Sequence, residues 1–317
     1  MKAVVYEKGN KPDVLTVMEV EKPVLQENEV LVKIHAVSVN AADYRSMQLG
    51  IIPKHRIFGA DIAGVIEAIG SNVHQLKVGD EVFGDVADSG FGGFAEYAAV
   101  RESLLASKPA DIPFEDAAAI PMAAVTALQG LRDKGKIRAG QKVLICGAGG
   151  GVGTFAVQLA KHFGAEVTAV CGPKNVALVR SLGADEIIDY SNEDFQNSKD
   201  RFDLILAVNG SYSLSAYRRL MKAGGIYVMV GGGFSQLFRS LLFGPVLSLG
   251  RRKFLSLAAK PSRKDLEFLI NLVVDGKISP VIDRFYSLQQ VPEAMQYLRQ
   301  GHARGKVVIR VVEPQGS

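Results

Sequence analysis

The 317-residue chain is short of cysteine, of charge imbalance and of long apolar runs, and each shortage removes a class of protein. Its two cysteines, Cys146 and Cys171, have no CxxC spacing and no histidine cluster beside them, which argues against a metal site built on them. Each closes a predicted strand, where a small buried hydrophobe is the expected role. Lys and Arg exceed Asp and Glu by only 37 to 33, with no basic block, so neither a nucleic-acid nor a membrane-surface partner is favoured. The most apolar stretch, "SLLFGPVLSLG", is flanked by Arg239 and Arg251 and falls far short of the roughly 20 residues that span a bilayer. The start "MKAVVYEKGN" reads as a strand and a turn and not as a signal peptide, so the cytoplasm is the expected compartment.

Glycine, by contrast, is abundant at 33 residues, and the length is that of about two domains. Residues 1 to about 120 read as β. "EVLVKIHAVSV" and "GVIEAIG" are Val/Ile-rich runs, and "VGDEVFG" sets a Gly-Asp turn between short strands. From "FEDAAAIPMAAVTALQGL" onward, strands alternate with helices at 152–163, 175–182 and 213–221, which implies βαβ units and a parallel sheet. Val152, Ala156, Leu159, Ala160 and Phe163 form one stripe that would pack on that sheet. The strand in "GGIYVMVG" is expected near a sheet edge, where an unpaired edge invites pairing.

The loop in "VLICGAGGGVGTFAVQLAK" follows a strand and opens a helix. That context makes a glycine pattern a phosphate site, because the backbone can approach a pyrophosphate and the helix start offers free N–H groups. Gly150, Gly151, Val152 and Gly153 are the expected cradle. NAD-binding folds usually place an acid at the end of the next strand for the ribose 2′-hydroxyl. Here that strand ends "AVCGPKN", with no acid and with Lys174 following. Lys174 therefore suits a 2′-phosphate and favours NADP(H), the plainer reading being a solvated loop lysine.

With these segments in hand, the chain resembles the medium-chain dehydrogenase/reductase superfamily. "GVIEAIGSNVHQLKVGDEVFG" resembles its barrel, "GAGGGVGTFAVQLAKHFGAEVTAV" and "LVRSLGADEIIDY" its nucleotide domain, and "ARGKVVIRV" its closing segment. The resemblance implies an α/β chain: a GroES-like barrel over 1–121, a doubly wound Rossmann domain over 122–260, and a return segment over 261–317 that completes the first domain. The zinc-bearing members carry Cys in the stretch matching "VSVNAAD" and His-Glu in that matching "FGADIAG". Here those positions read Asn40 and Ala60-Asp61, and the structural cysteine lobe is missing. The chain therefore resembles the zinc-independent quinone oxidoreductase and enone reductase branch. That fits the chemistry, since a quinone or an α,β-unsaturated carbonyl delocalises added electrons without a metal's help.

The resemblance implies site residues. Asn40 would donate to the acceptor oxygen or, alternatively, serves only as a turn residue. Thr126 would border the nicotinamide, and Gly231 and Gly232 its ribose. Lys174 and Tyr190 would surround the 2′-phosphate. Lys306 would lie near the bridging phosphates or the carboxamide, unless it is a surface lysine ahead of an edge strand. Asp43 and Asp61 read as structural carboxylates, and Tyr44 and His55 cannot be assigned as proton donors. The expectation is a metal-free, NADPH-dependent homodimer that reduces a small quinone or enone. A zinc-free alcohol dehydrogenase, a 2-enoyl-thioester reductase and a non-catalytic NADPH sensor are the alternatives.

Overall fold

The computed structural model describes residues 1–7, 14–53, 55–192, 198–209, 212–231 and 251–312. The chain divides into two compact units. The first comprises 1–123, 261–276 and 280–317, and the second 124–260 with 277–279.

The first unit opens with an antiparallel pair, β1 (Lys2–Glu7) and β2 (Val14–Glu19). Its larger sheet is built from β3 (Glu29–Val39), β4 (Asp61–Ile69), β5 (Glu81–Asp85), β6 (Tyr97–Arg101) and β7 (Leu105–Ser107). The Val- and Ile-rich β3 pairs antiparallel with both β4 and β6 and is buried along most of its length, which is why it shows no clean polar alternation. The expected turn in "VGDEVFG" forms. Gly79 takes a φ of 91°, and the Asp80 carboxylate accepts from the Lys77 N–H at 3.0 Å.

The second unit is one parallel sheet of β8 (Lys142–Cys146), β9 (Glu166–Cys171), β10 (Glu186–Asp189), β11 (Phe202–Val208), β12 (Met221–Val230) and β13 (Lys253–Leu257). The strand order is β10-β9-β8-β11-β12-β13, the doubly wound order whose direction reverses between β8 and β11. Helices Gly151–His162, Val176–Ser181 and Leu214–Leu220 connect its strands. The first of these is buried on more faces than its apolar stripe predicts. The Gln158 amide donates to the Ser279 carbonyl at 2.9 Å and accepts from the Ser279 N–H at 2.8 Å, so residues 277–279 cover the helix. The strand expected near the edge, β12, is paired on both sides, and the outer strand is β13. Periodicity identifies a strand but not its neighbours, and β13 lies beyond a long apolar stretch that hid it. Most of that stretch, with Gly232, lies outside the described residues.

The return segment supplies β14 (Ile282–Ser287), helix Val291–Arg299 and β15 (Lys306–Arg310). β15 sits between β14, parallel, and β3, antiparallel, with Val307 opposite Val39. Val291, Ala294, Met295, Val307 and Ile309 join one core with Val30, Ile34 and Ile62. The last strand of the chain is therefore an interior strand of the first unit. Ile309→Ala deletes methylenes from a fully buried site and should cost about 2–5 kcal/mol, while the same change at half-exposed Val312 should cost roughly 0.5 kcal/mol or less. Urea unfolding of both variants checks this, and equal midpoints would remove the return strand from the core.

Candidate functional site

Two clusters carry chemistry, one in each unit. In the second unit the glycine loop lies at the carboxyl ends of β8 and β11, where a doubly wound sheet reverses and binds ligands. Gly147 takes a φ of 75°, and a Cβ there would meet the Val208 carbonyl at 2.5 Å. Gly153 packs inward, since its Cβ would fall 2.1 Å from the Gly147 carbonyl. Gly150 differs, because among the described residues a Cβ there would meet only the Gly147 carbonyl, at 3.7 Å. Gly150 is also the N-cap of helix Gly151–His162, with no side-chain cap and no acid in the first turn. The N–H groups of that turn, from Gly151, Val152 and Gly153, are offered outward with the positive end of the helix dipole. Such a turn could hold a phosphate, with Gly153 packed beneath it and Gly150 at its start.

At the end of β9, Gly172 is flanked by two of the expected residues. Lys174 is exposed on the short turn Pro173–Asn175. Tyr190 is 57 % exposed, and its hydroxyl lies 2.7 Å from where a Gly172 Cβ would stand. The Tyr190 N–H donates to the Cys171 carbonyl at 3.2 Å, so β10 holds the ring over the end of β9. Thr126 is half-buried on helix Pro121–Leu128, and Gly231 follows β12 with a φ of 63°.

The first unit holds a buried polar network. Asp61 is 0 % exposed and accepts from the Ser38 hydroxyl at 3.0 Å, the Asn40 amide at 2.8 Å and the Met122 N–H at 3.0 Å. The Lys306 ammonium lies 3.5 Å from Asp61 and donates to the Asn40 side-chain carbonyl at 2.6 Å, joining residues 266 apart. Lys306 is 3 % exposed and begins a strand paired on both sides, so it is no surface lysine ahead of an edge strand. Asn40 has little freedom. Its amide donates to the Ser38 carbonyl at 3.2 Å as well as to Asp61, so donation to an acceptor oxygen would first have to break one of these bonds.

Burial pushes the Asp61 carboxyl above its ordinary value, opposed by the Lys306 charge. The Asn40 amide, the ammonium and the Met122 N–H can only donate toward it, so Asp61 is the ionised member. Burial also lowers the Lys306 ammonium, with the Asp61 carboxylate opposing. Asp43 accepts from the Asn40 N–H at 2.7 Å and the Gly59 N–H at 3.1 Å, fixing the start of helix Ala41–Gln48, and burial pushes it up to about 7.

Asp85, which sequence reasoning missed, stands directly opposite Asp61 on the neighbouring strand. Burial, reinforced by the Asp61 charge, pushes Asp85 up to about 8. Only strand register reveals that pair. Tyr44 packs against the core of this unit, and His55 is exposed. These atoms do not suit zinc, because the donors at Asn40 and Asp61 are committed to an ammonium and to N–H and O–H groups. Among the described residues, no group of three or more His, Cys, Asp or Glu could hold a metal, and no helix is long and apolar enough to cross a membrane.

Two family models match, "Alcohol dehydrogenase GroES-like domain" over residues 26–110 and "Zinc-binding dehydrogenase" over 182–309. A 2-methylene-furan-3-one reductase of Solanum lycopersicum is 37% identical, across 98% of this chain and 79% of that protein. The chain belongs to the medium-chain dehydrogenase/reductase superfamily, in its quinone oxidoreductase branch. A chloroplastic NADPH-dependent alkenal/one oxidoreductase of Arabidopsis thaliana is 35% identical, again over 98% of this chain and 79% of that protein. Among solved structures, a quinone oxidoreductase from Coxiella burnetii superposes with a TM-score of 0.89 at 29% identity, covering 98% of this chain and 99% of that one.

Two tests follow from this geometry. Gly150→Val meets no described atom closer than ordinary contact, so the fold should persist while dinucleotide binding falls at least tenfold in a fluorescence titration. Normal binding would place the cradle elsewhere. Asp85 titrates higher in the folded state than its unfolded value near 4, so the stability it contributes is full below about pH 4 and is lost as pH rises to about 8. Asp85→Asn removes that loss. Its stability advantage over wild type should widen across this window by up to about 1.4 kcal/mol per pH unit and then level off, and parallel stability–pH curves would contradict the assignment.

Proposed function

We propose that this oxidoreductase transfers hydride from NADPH to a quinone or to the activated C=C bond of an α,β-unsaturated carbonyl, without a metal. The observation that carries the cofactor preference is the end of β9. Where an NAD enzyme would hold an acid there is Cys171-Gly172, and Lys174 and Tyr190 flank that glycine. An acid at this point would repel a 2′-phosphate. The exposed lysine attracts one, and the tyrosine hydroxyl adds a neutral donor.

The dinucleotide, when bound, supplies the hydride. The chain's own residues position it: the turn Gly151 to Gly153 would hold its diphosphate, with Thr126, Gly231 and Gly232 assigned to its nicotinamide end. In the first unit we assign Asn40 the task of holding the Lys306 ammonium, with Asp61 as counter-charge. A fixed buried cation suits an acceptor that gains negative charge on oxygen. An acceptor that spreads this charge through its own conjugation needs no metal, and the donor set around Asn40 and Asp61 offers none a place. The names of the tomato, Arabidopsis and Coxiella relatives, a furanone reductase, an alkenal/one oxidoreductase and a quinone oxidoreductase, support this acceptor class. A cytoplasmic homodimer remains the expected setting, and β13 is the outermost strand of this sheet among the described residues.

NADPH oxidation measured against quinones, 2-alkenals, enones, enoyl thioesters and aldehydes tests the acceptor class. Turnover of aldehydes alone, or tight binding with no turnover, would sink it. For the cofactor, one charge-assisted contact is worth roughly 1.5–3 kcal/mol, or about ten- to hundredfold. Lys174→Ala should therefore lower kcat/KM for NADPH by about that factor at low salt and leave NADH nearly unchanged. Equal loss for both would make Lys174 a solvated loop residue.

A further inference from the structure

Asn175 completes the turn that carries Lys174, its N–H donating to the Gly172 carbonyl at 2.9 Å. Its side chain lies against the glycine loop. A Cβ at Gly149 would stand 2.5 Å from both Cγ and Nδ2 of Asn175, so the glycine there makes room for this amide. The Asn175 Oδ1 is buried and accepts no hydrogen bond among the described residues. A buried carbonyl oxygen left unpaired is costly, and such orphans call for a partner that arrives later.

The position narrows that partner. Asn175 touches the diphosphate loop on one side and adjoins Lys174, assigned to the 2′-phosphate, on the other. Phosphate oxygens near neutral pH are chiefly acceptors and cannot serve a carbonyl. The group that links a 5′-diphosphate to a 2′-phosphate is the adenosine ribose, and its remaining 3′-hydroxyl is a donor. An NAD enzyme's acid accepts from the ribose hydroxyls at the cost of repelling a 2′-phosphate. A neutral amide oxygen accepts without repulsion.

We propose that Asn175 accepts the hydrogen bond of the adenosine 3′-hydroxyl, and so strengthens NADPH and NADH alike while Lys174 discriminates between them. This rests on the dinucleotide reading of the glycine loop. The test is equilibrium binding to the full chain, by fluorescence titration, of NADPH, NADH and the 3′-deoxyadenosine analogue of NADH. Wild type should bind the analogue about five- to tenfold more weakly than NADH. In Asn175→Ala that difference should vanish, and NADPH and NADH should weaken by the same factor. Asn175→Asp should retain NADH and lose NADPH selectively. Equal binding of NADH and its analogue by wild type would overturn the proposal without any variant, and so would a penalty that survives in Asn175→Ala. Failure of every dinucleotide to bind wild type would overturn the loop reading and this proposal with it. A preference of wild type for NADH, with the 3′-deoxy penalty intact and lost in Asn175→Ala, would fail only the NADPH assignment and leave Asn175 supported.

Discussion

The buried pairing of Lys306 with Asp61, through Asn40, is the interaction on which the first unit depends. An ammonium and a carboxylate withdrawn from water each carry a desolvation penalty of several kcal/mol, repaid only when geometry and hydrogen bonding are complete. Here they are nearly so. Asp61 receives a hydroxyl, an amide, a backbone N–H and the ammonium. The residues concerned come from β3 and the helix start that follows it, from β4 and from β15, so the pair also ties the return segment to the first strands. A slip of one residue in β15 would turn Lys306 to the other face and leave Asp61 buried without its cation. Register and charge balance thus specify each other.

Burial first, and then the Asp61 charge, hold Asp43 and Asp85 above the ordinary carboxylate range. One ammonium lies among three buried carboxylates, and Asp61 holds it most directly. The Asp61 charge then acts on its neighbours. Asp85 lies directly across the sheet and feels it as like-charge repulsion added to burial. The unit consequently holds protons that an unfolded chain would release near neutral pH. Asp43 spends its oxygens on two backbone N–H groups, which makes it a helix-start fixture and not a reactive group.

Much of this was legible beforehand, for identifiable reasons. The α/β class, the parallel sheet and the doubly wound unit follow from strands alternating with helices, and the glycine loop lies where that alternation puts it, between β8 and a helix. Lys174 follows a strand end at which the usual acid is missing, and the structure leaves it exposed there. What stayed hidden depends on contacts that composition does not encode. That Gly153 is a packing residue while Gly150 is open follows from where the Gly147 carbonyl turns. Asn40 reads equally as a donor and as a turn residue, because its partners, Asp61 and Lys306, lie 21 and 266 positions away. Asp85 sat in an unremarked "GDVADS", and only strand register places it beside Asp61. Asn175 was overlooked because it follows a lysine that already had a role.

The two units handle polar groups in opposite ways, and the contrast separates scaffold from binding surface. In the first unit, amide, hydroxyl, carboxylate and ammonium are buried and matched to one another, so the network is rigid and its charges are fixed in place. In the second, among the described residues, the helix that opens at Gly151 has no side-chain cap and the buried Asn175 oxygen has no donor, and Lys174 stands exposed at the end of β9. The orphaned oxygen costs free energy in the empty protein, while water serves the helix start and the lysine there. Under the proposed reading each feature takes a different part of one ligand: diphosphate for the helix start, 3′-hydroxyl for the amide, 2′-phosphate for the lysine. Three features of different chemistry around one loop constrain the ligand more tightly than the glycine pattern alone. A free phosphate would answer only the first and last of them, and a nucleotide lacking the ribose hydroxyl would leave the middle one unmet.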